Sequence, residues 1–281
     1  MSGADVGPEE LRDAPLGHPT DYPDAYAPGL LYALPRAPQR AALGIRGDAL
    51  PFVGVDLWTA YELTWLDARG KPMVAIATLE IPAESPSIVE SKSMKRYLGS
   101  FAQTRFEEPG EVTVALTHDL SRAVGATVRA MLDRPDRFGM ARLRELEGID
   151  LDALDIDCSA YEVDAALLET HDASAAETLT TNLFRSMCPV TGQPDIASVA
   201  ITYEGPQIDR ASLLRYLVSY RCHAGFHEHC VERIFMDLKS RCGARTLSVY
   251  ARFTRRGGID INPFRSDAGE RMPANVRTAR Q

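Results

Sequence analysis

The chain carries an internal repeat. Val74-Ala-Ile-Ala-Thr-Leu-Glu-Ile-Pro82 is matched by Ser198-Val-Ala-Ile-Thr-Tyr-Glu-Gly-Pro206, and Arg96-Tyr-Leu-Gly-Ser-Phe101 by Arg215-Tyr-Leu-Val-Ser-Tyr220. The Asp-Leu and Gly-Ala pairs between Asp119 and Ala126 recur between Asp237 and Ala244. Blocks that recur in one order mark a duplicated unit. In the first copy, the β-branched and aromatic runs Val53–Leu66 and Val74–Pro82 flank Asp67-Ala-Arg-Gly-Lys-Pro72, which reads as a hairpin. A short and then a longer helix follow. Gly125 and Gly243 stand where each longer helix needs a C-cap before the next strand. Each copy therefore reads strand, strand, helix, helix, strand, an α+β unit.

Around this repeat the chain divides into an N-terminal arm, residues 1–45, a first half, 46–135, an acidic, strand-poor connection, 136–176, and a second half, 177–281. The arm is rich in Pro, Ala and Tyr without a period and reads as extended. It holds Tyr22, Tyr26, Leu30, Leu31 and Tyr32, too many large groups for a free tail, so it is expected to lie on another surface. With 281 residues, 45% hydrophobic and 25% charged, the chain can bury a sizeable core in either half. No run approaches the roughly 18 apolar residues of a membrane span. The N-terminus lacks the basic and apolar regions of a signal peptide, so a cytoplasmic protein with five reduced cysteines is expected. A net charge of -8 argues against general nucleic-acid binding. The segment Arg241–Gln281 reverses that sign, with nine Arg, no Lys and three acids, and suits a local anion site.

The halves differ where chemistry is concentrated. Cys188-Pro-Val-Thr-Gly-Gln-Pro-Asp195 puts a thiol and a carboxylate at the ends of a short turn held by two prolines. A thiolate is a strong carbon nucleophile, and a nearby carboxylic acid can protonate the atom that becomes negative. A buried structural cysteine is the plain alternative. The first half lacks this pair but has Glu90-Ser91-Lys92 before its short helix, an acceptor, a hydroxyl and a cation suited to a polar heterocycle beside a phosphate, or simply a charged helix entry. Phe226-His227-Glu228-His229-Cys230 opens the long helix of the second half. His227 and Glu228 could hydrogen-bond a purine-like ring on which Phe226 stacks, or cap the helix. With Cys222 and His223 the cluster could also hold zinc, although no Cys-x-x-Cys pairing supports that. Thr254-Arg255-Arg256-Gly257-Gly258 offers two guanidinium groups for phosphate or forms a basic turn. One site divided between two half-domains is the expectation.

Taken together, Glu90-Ser-Lys-Ser-x-Lys, Cys188-Pro-Val-Thr-x-Gln-Pro-Asp195, Phe226-His-Glu228 and Arg255-Arg-Gly-Gly-x-Asp-Ile-Asn-Pro263 resemble the long, tandem form of the NADPH-dependent 7-cyano-7-deazaguanine (nitrile) reductases, from Leu16 to Arg265. The resemblance implies two tandem tunnelling-fold halves and a homodimer. It implies reduction of the nitrile to a primary amine in the biosynthesis of the tRNA nucleoside queuosine, with two NADPH per turnover and no metal. Cys188 would add to the nitrile carbon to give a thioimide, and Asp195 would protonate nitrogen. Val89, Glu90 and Ser91 would hold the deazaguanine from one side and His227 and Glu228 from the other, under a lid formed by Phe226. Ser91, Lys92, Arg256 and Gly257 would bind NADPH. No Gly-x-Gly-x-x-Gly fingerprint is present, as the resemblance leads one to expect. The rival readings are a zinc-dependent cyclohydrolase or related pterin or purine enzyme of the same fold, and a purine-binding module without catalysis.

Overall fold

The computed structural model describes residues 23, 25–46, 49–269, 272 and 275–281. Tyr22 and the start of the likeness at Leu16 lie outside the described residues. Not all of the arm is extended: after a 3-10 turn it contributes β1 (Ala33–Pro35) and α1 (Ala37–Ala42). The first half then forms β2 (Val53–Leu66), β3 (Pro72–Pro82), β4 (Ser87–Val89), α2 (Ser91–Gly99), α3 (Pro109–Val124) and β5 (Arg129–Asp133). After the two-residue β6 (Ile149–Asp150), the second half forms β7 (Thr170–Met187), β8 (Pro194–Ile208), α4 (Arg210–Val218), α5 (His227–Cys242), β9 (Thr246–Phe253) and β10 (Ile259–Ser266). The boundary drawn at 176 thus falls inside β7, because the alanines and acids before Leu179 still pair with β8 as a strand.

Local chemistry sets the turns. The Asp67 carboxylate accepts from the backbone N–H of Arg69 and of Lys71, both at 2.9 Å, and Gly70 takes φ +82°, which closes the β2–β3 hairpin. Gly125 and Gly243 cap α3 and α5 in the left-handed conformation, at φ +73° and +62°. No helix among the described residues is long and apolar enough to cross a membrane.

The two halves share one eight-stranded sheet in the order β5-β3-β2-β10-β9-β8-β7-β6, antiparallel apart from the short β6–β7 pair. The seam is β10, which zips against β2 from Ile259↔Ala60 to Ser266↔Val53 and against β9 on its other edge. Each half keeps its own core. Leu79, Tyr97, Phe101 and Leu116 fill the first, and Ile201, Tyr216, Phe235 and Leu247 the second, all of them buried. Ile259 and Ile261 belong to the first core although their strand comes from the second half. The repeat is visible in packing as well: Tyr97 donates to Asp119 at 2.7 Å as Tyr216 donates to Asp237 at 2.7 Å. Tyr26 of the arm adds a second donor to Asp119 and β1 pairs with β4, whereas Ile45 packs into the second core, so the arm bridges the two halves.

A buried ionic cluster locks arm, seam and α5 together. Glu232 on α5 accepts from Arg40 at 2.7 and 3.0 Å and from Arg265 of β10 at 2.9 and 3.0 Å. Asp56 of β2 pairs with Arg36 at 2.5 Å and with Arg265 at 2.8 Å. Burial by itself would raise the Glu232 carboxyl, but Arg265, Arg40 and Arg36 more than offset it and hold the group at about 2. This cluster lies under the first turns of α5 and fixes that helix against the seam.

Candidate active site

Cys188 follows the last residue of β7, and Asp195 is the second residue of β8. The turn between them is closed by Cys188 N–H donating to the Gln193 carbonyl at 2.8 Å and Gly192 N–H donating to the Cys188 carbonyl at 3.0 Å, with Gly192 at φ +66°. Both chemical groups are nearly inaccessible, at 6% and 4% exposure, yet both line one cleft. Val89, Ser91 and Lys95 form one wall, and Phe226, His227 and Glu228 at the start of α5 form another. Arg256, Thr254, Ile259 and Ile261 close the seam side.

Asp195 is the electrostatic centre of the cleft. Arg256 Nη2 lies 2.6 Å from its Oδ1, and His227 Nε2 lies 3.3 Å from the same atom. Arg256 Nη1 also donates to Gln193 at 2.8 Å, so the guanidinium expected at a phosphate braces the Cys188–Asp195 turn. Its neighbour Arg255 in the loop between β9 and β10 points elsewhere and lies over the Tyr61 ring at 5.3 Å. The His227 imidazole stacks on Phe253, with ring centroids 3.8 Å apart, while its buried Nδ1 has no hydrogen-bond partner. Glu228 is buried one turn above Glu232 on α5. Its carboxyl is pushed up to about 7 by burial and by Asp56, with His227 and Arg36 acting in the opposite direction.

The first-half motif is placed less simply. Ser91 and Val89 line the cleft, but Glu90 is fully buried behind the wall and caps α2, accepting from Lys92 N–H at 2.7 Å and Ser93 N–H at 2.8 Å. Each of its two carboxylate oxygens thus accepts one backbone N–H of its own helix. Glu90→Ala is expected to lower stability by about 1 kcal/mol through loss of this cap; an unchanged urea midpoint would contradict that role. Lys92 lines neither the cleft nor the groove beside it, and Gly257 lies in that groove.

Lys95 had no role assigned from sequence, although its spacing of four from Ser91 puts both on one helical face. It reaches both cavities, and burial, followed by the Arg256 charge, lowers its pKa against the pull of Glu90, Cys188 and Asp195. Ile259 and Ile261 were missed as well, because apolar strand residues carry no chemical signal; Thr254, just past the end of β9, also lines the cleft.

The cysteines and histidines weighed for zinc do not converge. Burial drives His229 down to about 3 and raises Cys230 to about 12, and both His229 ring nitrogens lack partners. Cys222 is exposed, and no group of three or more potential ligands is gathered among the described residues.

Comparison with known proteins identifies the family. Residues 22–132 match the family described as "Nitrile reductase, 7-cyano-7-deazaguanine-reductase N-term", and residues 194–271 match "QueF-like protein". Proteins named NADPH-dependent 7-cyano-7-deazaguanine reductase from Burkholderia multivorans and Burkholderia cenocepacia are 55% and 56% identical to the chain, covering 95% of it and 98% of themselves. The protein of that name from Paraburkholderia xenovorans is 54% identical over 96% of this chain and 99% of its own. The two matched segments contain β2 and β10, the strands that join the halves, and the chain belongs to the nitrile reductase family of 7-cyano-7-deazaguanine reductases.

Proposed function

We propose that this protein reduces the nitrile of 7-cyano-7-deazaguanine to a primary amine with NADPH, through a covalent bond to Cys188. The convergence of Cys188, Asp195 and Glu228 in one cleft supports this reading, because it sets a nucleophile, a proton source and an acceptor for ring N–H groups around a single small ligand. Cys188 Sγ adds to the nitrile carbon while a proton reaches the nitrogen from Asp195, giving a thioimide. His227 and Arg256, both on Asp195 Oδ1, orient that carboxyl. Glu228 accepts from the ring N–H and the exocyclic amine, and Phe226 and Val89 cover the ring. The unpartnered Nδ1 of His227 is a further polar atom that a heterocycle could satisfy.

The chain also has a cradle for the dinucleotide. Beside the cleft lies a groove of about 330 Å³ along Gly257 and Gly258, open because neither glycine has a Cβ. A Cβ on Gly257 would stand 3.0 Å from Lys95, and one on Gly258 would stand 2.5 Å from Glu62. Lys95 and Gly257 would hold NADPH there, with Ser91 and Arg256 in the adjoining cleft and Lys92 beside the entrance to α2. The bound cofactor supplies hydride. A nitrile needs two hydrides and two protons to become an amine, so two NADPH are required per product.

An absorbance assay of NADPH oxidation with 7-cyano-7-deazaguanine tests the function directly: two NADPH should disappear per amine formed, and no consumption would overturn it. Nitrile binding should also depend on pH through Glu228. The ionised carboxylate accepts at both oxygens from the donor edge, whereas protonation turns one oxygen into a donor that faces those N–H groups and removes the charge, so affinity should fall as pH drops through about 7. Titration at pH 8 and 6 should show about tenfold weaker binding at the lower pH. Glu228→Gln should bind weakly and flatten the dependence; an equally steep profile in that variant would assign it to another group.

A further inference from the structure

The groove beside the reaction cleft contains a carboxylate to which neither the resemblance nor the chemistry above gives a role. Glu62 occupies an irregularity of β2: pairing with β3 slips between Ala60 and Leu63, so Tyr61 and Glu62 stand outside the regular ladder. Bulges of this kind re-aim a side chain and are frequent at active sites. Tyr61 N–H donates to the Gly258 carbonyl at 2.8 Å, which ties the bulge to the glycine turn. Gly257 and Gly258 both have left-handed backbone, at φ +59° and +77°. A Cβ at Gly258 would lie 2.5 Å from the Glu62 carboxylate, so only glycine permits this approach. Glu62 is exposed to the groove and makes no hydrogen bond or ion pair with any described residue.

The groove is continuous with the reaction cleft, since Lys95 and Ile259 line both. Ala60, Leu63, Leu98 and Ile259 make its other surfaces apolar. A free carboxylate against a flat, partly apolar wall suits a vicinal diol, whose two hydroxyls can donate to its two oxygens. The same carboxylate would repel a phosphate monoester.

We propose that Glu62 binds the unphosphorylated ribose diol at the nicotinamide end of NADPH, and thereby sets the direction in which the dinucleotide lies. This rests on the reductase reading above. With Glu62 at the diol, the nicotinamide ring enters the cleft past Lys95 and Ile259. The 2'-phosphorylated adenosine extends the opposite way, out of reach of the carboxylate. Glu62 is then a specificity-determining residue for cofactor orientation, contributed by the first half to a site whose nucleophile comes from the second.

The test is binding rather than turnover. NADPH would be titrated by fluorescence into the full-length protein and into Glu62→Ala and Glu62→Gln, with 2',5'-ADP as a competing fragment that lacks the nicotinamide ribose. Loss of charged hydrogen bonds should raise the NADPH dissociation constant about tenfold or more in Glu62→Ala, and less in Glu62→Gln, which keeps one acceptor. The 2',5'-ADP constant should be unchanged. Unaltered NADPH affinity in both variants would overturn the proposal, and a changed 2',5'-ADP constant would overturn the orientation. Covalent attachment of 7-cyano-7-deazaguanine to Cys188 needs no NADPH and should persist in both variants. Its absence from the wild-type protein would count against the reductase reading itself, so the two failures are distinguishable.

Discussion

Cys188→Ala is expected to leave a folded protein that neither consumes NADPH with 7-cyano-7-deazaguanine nor gains its mass. The thiol is nearly buried, and its removal opens only a small gap at the end of a hairpin still closed by the Cys188 N–H bond to Gln193. The chemical cost is much larger. Without the nucleophile, no other described side chain lining the cleft is a thiol, and loss of a covalent nucleophile costs on the order of 10⁴-fold or more in rate. Cys188→Ser should be nearly as inactive, because a hydroxyl ionises far less readily than a thiol. Intact-protein mass spectrometry after incubation with the nitrile decides the point: an adduct on the Ala variant would remove Cys188 from the mechanism.

Asp195→Asn is expected to slow adduct formation by roughly 10²- to 10⁴-fold, the range for a positioned general acid. The amide preserves shape and can still contact Arg256 and His227, both of which bear on Oδ1 in the wild-type protein. What it lacks is a transferable proton. Stopped-flow measurement of thioimide formation, which precedes any hydride transfer, isolates this step. A wild-type rate in Asp195→Asn would assign the proton to His227, whose Nε2 is the nearest alternative at 3.3 Å from Asp195. Comparing pH profiles of the Asn variant and His227→Ala would then show which limb each group controls.

Both experiments concern groups whose closeness could be read from the linear chain, and the reason is local. Cys188 and Asp195 are seven positions apart on one hairpin, and the prolines and Gly192 that shape the turn lie between them, so sequence neighbours are also spatial neighbours. The same holds for Phe226, His227 and Glu228 at the start of α5, and for the glycine caps of α3 and α5. The duplicated α+β unit was legible because both copies need the same apolar spacing to fill their own cores.

Glu90 shows what local reading leaves open. Its acceptor chemistry was evident, but whether a carboxylate at a helix entry faces a ligand or its own backbone N–H groups depends on the path of the preceding strand. Here that path turns it inward as a cap. Arg256 is similar: a basic pair past a strand end suggested phosphate, and only the fold brings this guanidinium, from the loop between β9 and β10, to 2.6 Å from Asp195.

By itself, then, the sequence determined the repeat, the hairpins and helices within each copy, and the pairing of Cys188 with Asp195 across one turn, because each depends on residues within a few turns or one hairpin. Tertiary structure alone decided that β10 joins β2, that Ile259 and Ile261 serve the first-half core, and that Arg36, Arg40, Asp56, Glu232 and Arg265 form one buried cluster. It also decided that Lys95 and Glu62 meet the glycine turn. These contacts span up to about two hundred residues, and burial of two cores against one continuous sheet, rather than any local preference, selects them.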